Sequence, residues 1–308
     1  MSEQQPDSSQ TKCGYVAVIG APNAGKSTLV NQLVGQKVSI VSPKVQTTRN
    51  RIMGIVIKDK AQVILVDTPG LFNASTRLER AMVSAAWGGA DEGDMVAYIF
   101  DAKKKGPNAS DLKAIERLTE IVKTRPVFLL LNKVDAIAKP KLLELAARLN
   151  QLCPFTATFM ISAMTGDGVE DVLRECIKFL PQGLWLFDED QVTDMPMRLL
   201  AAEITREQVF LQLHEEVPYE ITVETEVWEQ FDNGSVKLQQ TIHVTRDHLK
   251  SIILGKGGAR LREIGTRARM ELETLLETTV HLKLFVRVTE KWKDDPLYYA
   301  EWGLDSGA

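Results

Sequence analysis

A chain of 308 residues, 44% hydrophobic and 25% charged, has the composition of a folded protein with room for two cores, which excludes wholesale disorder. The net charge of −4 argues against a generally basic surface, and three scattered cysteines without CxxC spacing argue against a disulfide framework or a zinc site. No run approaches ~20 consecutive apolar residues, and the opening MSEQQPDSSQTK lacks the apolar core of a signal peptide, so a reduced, cytoplasmic location is expected.

In chain order, residues 1–12 read as a disordered tail. From 13 to 181, apolar runs alternate with helical patterns: YVAVIG (15–20), AQVILVD (61–67), MVAYIFD (95–101), PVFLLLNK (126–133) and TFMISA (158–163). Such runs separated by helices predict an α/β domain with a mostly parallel sheet covered on both faces. IMGIVI (52–57) is joined to AQVILVD only by KDK, which predicts an antiparallel hairpin. Residues 182–195 break the periodicity and read as a linker.

From 196 to 308 the order changes to α-β-β-α-α-β, an α+β domain. It begins with a helix near 197–213, followed by a hairpin about Asn233-Gly234. A short helix over 246–253, the loop GKGG (255–258), a long helix over 259–277 and a strand over 280–288 complete it. Leu261, Ile264, Ala268, Leu272 and Leu275 mark the buried face of the long helix. On the last strand His281, Lys283, Phe285 and Arg287 read as a solvent face or as a base-stacking one, the former preferred, and the aromatic-rich stretch 291–305 is expected to pack back on this domain.

The segment Gly20-Ala21-Pro22-Asn23-Ala24-Gly25-Lys26-Ser27-Thr28 follows a strand and fits G-x(4)-G-K-[ST]. Its backbone N–H groups and the next helix's N-terminus suit phosphates, with Lys26 on the β and γ groups and Ser27 on Mg²⁺. Asp67-Thr68-Pro69-Gly70 ends another strand, placing a carboxylate beside the metal and the Gly70 N–H near a γ-phosphate. Asn132-Lys133-Val134-Asp135 ends a third, where Asp135 can accept two hydrogen bonds from guanine that adenine cannot offer. Ser162-Ala163 ends a fourth, and the Ala163 N–H is expected to meet guanine O6. Together these predict GTP and GDP as ligands, at the carboxyl ends of strands where such sheets bind them.

The four motifs resemble those of translation-factor-type GTPases. That resemblance implies a magnesium-binding threonine within SPKVQTTRNR (42–51), with Thr48 preferred and Thr47 its rival. It also implies that Asn23 binds K⁺ beside the phosphates, with Lys26, Asn23, Thr48 and Gly70 serving hydrolysis. Leu71 stands where a Ras-like protein has its water-orienting glutamine, so slow intrinsic turnover is expected.

The second glycine loop, Gly255-Lys256-Gly257-Gly258, fits G-x-x-G between two helices, a signature that resembles K-homology domains of the prokaryotic type. There the loop clamps the backbone of about four single-stranded nucleotides. A lone GxxG fits a helix C-cap equally well. The basic residues Arg246, Lys250, Lys256, Arg260, Arg262, Arg267 and Arg269 around it favour an anionic partner, whereas 214–230 holds six glutamates and no Lys or Arg.

The two-domain combination resembles the Era family of bacterial ribosome-assembly GTPases over nearly the whole chain. Membership implies a switch that binds the 3′ end of 16S rRNA and the immature 30S subunit, and it allows loose peripheral association at the inner membrane face, for which the sequence shows no anchor; a monomer is the default expectation. Two alternatives stay open from the residues: a constitutive RNA-binding scaffold with a structural nucleotide, and a GTPase acting on a protein or membrane partner.

Overall fold

In the computed structural model, which describes residues 11–74, 76–213, 217–290 and 292, the chain divides into two compact units. Among the described residues, one holds 11–39 and 48–194 and the other 40–47 and 195–292.

The first unit has six strands: β1 (Lys12–Gly20), β2 (Ile52–Lys58), β3 (Ala61–Asp67), β4 (Met95–Asp101), β5 (Val127–Asn132) and β6 (Ala157–Ile161). They lie in the order β2-β3-β1-β4-β5-β6, parallel except for β2. The β2–β3 hairpin turns on Asp59 and Lys60, both left-handed at φ 49° and 62°, a turn that matches strand twist without any glycine. Helices α1 (Lys26–Val34) and α5 (Val169–Phe179) border one apolar layer. The opposite layer is bordered by α2 (Arg77–Glu92), α3 (Ala109–Ile121) and α4 (Lys139–Leu152). Capping boxes start α2 at Thr76 and α3 at Asn108, satisfying N–H groups that a helix leaves open. Cys13, Cys153 and Cys176 are buried and form no disulfide, and the Cys13 thiol donates to Gln62 Oε1 at 3.5 Å.

The strand β1 begins earlier than its apolar run, which corrects the tail expected to end at residue 12. Lys12 and Cys13 pair with Ala61 and Gln62, and Lys12 Nζ donates to the Ile177 and Lys178 carbonyls at the end of α5. A cation at a helix C-terminus is favourable there. Thr11 is buried, its hydroxyl on the Gly183 carbonyl at 2.7 Å. The segment read as a linker runs along the free edge of β2. There the Ile55 N–H donates to the Val192 carbonyl (2.9 Å) and the Met53 N–H to Asp194 Oδ1 (3.0 Å). An edge strand otherwise leaves these donors open.

The second unit contains α6 (Met197–Gln212), β7 (Ile221–Gln230), β8 (Val236–Val244), α7 (Asp247–Leu254), α8 (Ala259–Leu276) and β9 (Val280–Val288). Its sheet runs β7-β8-β9, with β7 antiparallel and β9 parallel to β8. The parallel pair is possible because α7 and α8 form the crossover. Ile264, Ala268 and Leu272 of α8 are fully buried, with Leu261 and Leu275 half-buried at the ends of the same stripe. A bulge between Thr225 and Val227 interrupts the hairpin's alternation. His281, Lys283, Phe285 and Arg287 are exposed on β9, which fits either reading of that face.

Residues 40–47 pack within this unit on α6: the Val41 N–H donates to Glu207 Oε1 (2.7 Å), and Arg206 donates to the Thr47 carbonyl. Arg206 and Glu203 are both buried and paired, as a charge removed from water must be. Trp292 is buried with its indole N–H on the Glu220 carbonyl; the rest of the expected 291–305 packing lies outside the described residues, as do residues 1–10 of the tail. No helix among the described residues is long and apolar enough to cross a membrane.

Candidate functional site

The first glycine loop joins the carboxyl end of β1 to α1, and Gly25, at φ 106°, is the N-cap of that helix. The helix therefore opens towards the loop with N–H groups that no turn of its own can satisfy, the chemistry an anion needs. Lys26 is buried at the base, its Nζ donating to the carbonyls of Gly20 (3.2 Å) and Ala21 (3.1 Å). Burial pulls its pKa down to about 8, although the Asp67 carboxylate opposes the shift. Thr28 follows, half-buried in the first turn of α1.

Ser27, Thr48 and Asp67 converge. Ser27 Oγ donates to Asp67 Oδ2 at 2.6 Å and lies 2.9 Å from Thr48 Oγ1. Thr47 is not part of this cluster: its hydroxyl is bonded to Ser42 and the Lys44 carbonyl. Asp67 is fully buried, which raises its pKa, while hydrogen bonds from Ser27, Ser39 and Thr48 oppose that rise. Its Oδ1 is buried without a hydrogen-bond partner among the described residues. Two hydroxyls and one carboxylate, with its Oδ1 unused, are hard donors that fit Mg²⁺.

Beyond Asp67, the Thr68 hydroxyl donates to the Val18 carbonyl (2.8 Å) and the Leu71 N–H to the Gly20 carbonyl (2.9 Å), tying Thr68-Pro69-Gly70 to the phosphate loop. A side chain at Gly70 would come within 2.8 Å of the Pro22 backbone nitrogen, so this approach needs glycine. Leu71 points into the core and is buried. After Gly70, residues 71–74 form no helix or strand, Ser75 lies outside the described residues and α2 begins at Arg77.

At the end of β5, Asn132 is buried and bridges two loops, its Nδ2 donating to the Ala24 carbonyl (2.7 Å) and its Oδ1 accepting the Ala163 N–H (2.9 Å). The Ala163 N–H, expected for guanine O6, is therefore engaged by Asn132, because a buried N–H takes the nearest acceptor. The preceding Ser162 is also buried, its Oγ accepting from the Thr165 N–H (3.3 Å). Lys133, left-handed at φ 70°, reaches back to the Asn23 carbonyl and to Asp101 Oδ2, both at 2.7 Å. Asp135 is exposed and its carboxylate has no hydrogen bond to the described residues, leaving both oxygens for a base. Asn23 is exposed at φ 59°.

Three residues of this site carry no motif: Ser39 on Asp67, Asn31 on the backbone of residues 38 and 39, and Asp101 on Lys133. Asp101 alone left a signal in the sequence, as a carboxylate at the carboxyl end of an apolar strand.

The second glycine loop lies between α7 and α8. Gly255, Gly257 and Gly258 have φ of 69°, 59° and 75°, so the turn needs three left-handed residues in four and is cheapest with glycine. Lys256 and Gly257 are exposed at its tip. Gly258, Arg262, Gly265, Arg269, Leu282 and Leu284 line an open cleft of about 330 Å³ beside it, basic on one wall and apolar on the other. Arg260 caps α7 through the Ile252 carbonyl (3.2 Å), Arg267 pairs with Glu263 and Arg269 with Glu273. Arg246 is the N-cap of α7, so the eight-residue helix, about 12 Å long, separates it from the loop, while Lys250 sits midway.

A family model described as a 50S ribosome-binding GTPase matches residues 15–133, and one described as a KH domain matches 216–293. The GTPase Era of Afipia carboxidovorans is 52% identical over 96% of this chain and 95% of its own length. That of Brucella suis is 52% identical over 98% and 96%. A crystal structure of Era in complex with MgGDPNP and nucleotides 1506–1542 of 16S ribosomal RNA has a TM-score of 0.89 at 40% identity, covering 95% of this chain and 99% of that one. A point variant of Aquifex aeolicus Era bound to GDP.AlF4⁻ likewise has a TM-score of 0.89, at 39% identity and with the same coverage. With that much identity along almost its entire length, the chain belongs to the Era family and is a GTPase.

Proposed function

We propose that the protein is a GTP-dependent switch that binds the 3′ end of 16S rRNA during assembly of the 30S subunit. Residues 13–181 bind and hydrolyse the nucleotide, residues from 196 onward bind RNA, and 182–195 join them. The observation that carries the reading is the exposed Gly255–Gly258 loop beside a basic, apolar-walled cleft, on the same chain as a complete nucleotide site. Lys256 and Arg262 have no ion pair among the described residues and remain available to phosphate oxygens. A related Era was crystallised with the same class of RNA and a GTP analogue, which supports the choice of target.

Within the nucleotide site, the loop N–H groups and Lys26 hold the phosphates, Asp135 selects guanine, and Ser27, Thr48 and Asp67 hold Mg²⁺, which would offset charge on the transferring phosphoryl group. Asn23 takes K⁺ beside the phosphates. Leu71, buried, cannot orient water, so unstimulated hydrolysis is slow. Equal turnover in KCl and NaCl would remove the potassium assignment.

The test of the RNA reading is titration of the full chain with an oligonucleotide of the 16S rRNA 3′ end and with a scrambled one of equal composition. Selective binding that Gly257→Asp abolishes supports it. Equal binding of both sequences would leave only a nonspecific basic surface.

A further inference from the structure

Ser27 and Ser39 donate to the same oxygen of Asp67. The distances to Oδ2 are 2.6 Å from Ser27 Oγ and 2.7 Å from Ser39 Oγ, while Oδ1 is buried with no partner among the described residues. Ser39 belongs to no nucleotide motif, yet it is 1% exposed and gripped by one side chain. Asn31 Oδ1 accepts the N–H groups of Val38 (2.9 Å) and Ser39 (3.0 Å), and Asn31 Nδ2 donates to the Ser39 carbonyl (2.7 Å). Asn31 stands four residues after Ser27 on α1, hence on the same helix face. One helix therefore supplies one hydroxyl to Asp67 directly and fixes the position of the other.

We propose that Ser39 is a positioning residue for magnesium binding: its hydroxyl, together with that of Ser27, fills Oδ2 of Asp67 and turns Oδ1 towards the cation. Asn31 holds Ser39 in place for that task. A carboxylate pinned by one donor can still rotate about its Cβ–Cγ bond; two donors on one oxygen from different chain segments remove that freedom. The backbone grip and the hydroxyl are separable, because Asn31 touches only the main chain of Ser39. The inference rests on the reading of Asp67 as the magnesium aspartate. Outer-shell partners of metal ligands typically tune affinity by about 10- to 100-fold.

The test uses the full chain and reads metal affinity, not turnover: the Mg²⁺ concentration that half-maximally slows release of a fluorescent GDP analogue. Ser39→Ala should raise that midpoint about tenfold while leaving release in excess EDTA at the wild-type rate. Ser39→Thr, which keeps the hydroxyl, should remain within about twofold of wild type, and Asn31→Ala should shift the midpoint in the same direction as Ser39→Ala. Ser39→Cys, of nearly the same shape but a weak donor, replaces the alanine variant if that one does not fold, with the same expected shift. A Ser39→Ala midpoint within twofold of wild type, or equal acceleration with and without Mg²⁺, would overturn the proposal. Asp67→Asn separates the two levels. If it moves the midpoint and Ser39→Ala does not, only the role of Ser39 falls; if it does not move it, the reading of Asp67 falls as well.

Discussion

The hydroxyl of Thr48 lies 2.9 Å from that of Ser27, whereas Thr47, one residue earlier, bonds to Ser42 and the Lys44 carbonyl, each at 2.7 Å. Adjacent threonines thus serve different structures, one the Ser27–Asp67 cluster and the other the turn of its own segment. Thr48→Ala should lower kcat/KM for GTP by roughly 100-fold and raise the Mg²⁺ requirement. Thr47→Ala should stay within a few-fold in a steady-state assay.

Asp135 stands on a short turn whose position is fixed from behind by Asn132 and Lys133. Asp135→Asn should leave that frame intact, weaken GTP by about 1,000-fold and confer binding to xanthosine triphosphate, whose C2 carbonyl accepts where the guanine amine donates. Competition binding with the two nucleotides decides it, and unchanged GTP affinity would show that Asp135 does not read the base.

Gly257 is exposed at φ 59°, a conformation that aspartate tolerates better than most side chains. Gly257→Asp should therefore fold, bind GTP normally and lose at least about tenfold in RNA affinity through repulsion of phosphates. Arg262→Ala should weaken RNA binding and flatten its salt dependence. Arg246→Ala, at the far end of α7, should do neither. Titrations at two salt concentrations distinguish these cases.

Lys26 offers a pH test. Its folded pKa of about 8 lies below the ordinary value of 10.5 because burial disfavours the ammonium. Below pH 8 both folded and unfolded chains hold the proton, so the burial penalty is constant. Between 8 and 10.5 only the unfolded chain holds it, so folding stability rises with pH through this group. Relative to Lys26→Met, the wild-type protein should gain at most about 3 kcal/mol over that interval. Urea unfolding of both proteins at pH 7.5 and 10.5 measures the difference; a constant difference would show that Lys26 is not desolvated.

The nucleotide motifs and the order of elements were legible because each rests on short-range pattern. An apolar strand followed by a glycine turn, as at Gly20, or an Asn-Gly turn with its left-handed glycine, as at Gly234, declares itself locally. Ser39 and Asn31 did not, because an isolated polar residue shows its purpose only through partners distant in sequence. The Asn132–Ala163 bond is of the same kind, since the fold and not the motif decides which acceptor a buried N–H meets. Likewise, residues 182–195 look loop-like in composition, and only the open N–H groups of β2 explain why Val192 and Asp194 are bound along it. That Arg246 stands at the far end of α7 from the loop, and that Arg260 donates to the Ile252 carbonyl, was hidden for a simpler reason: charge counts carry no direction.

The central claim is that one chain couples its nucleotide to its RNA. The most direct measurement is the affinity of a labelled 16S rRNA 3′-end oligonucleotide for the protein loaded with a non-hydrolysable GTP analogue and with GDP, at one fixed salt concentration. A ligand shifts a switch only by its differential affinity for the two states. The expected result is selective binding that is at least about tenfold tighter in one nucleotide state, a difference of ~1.4 kcal/mol. Equal affinity in both states would contradict the claim.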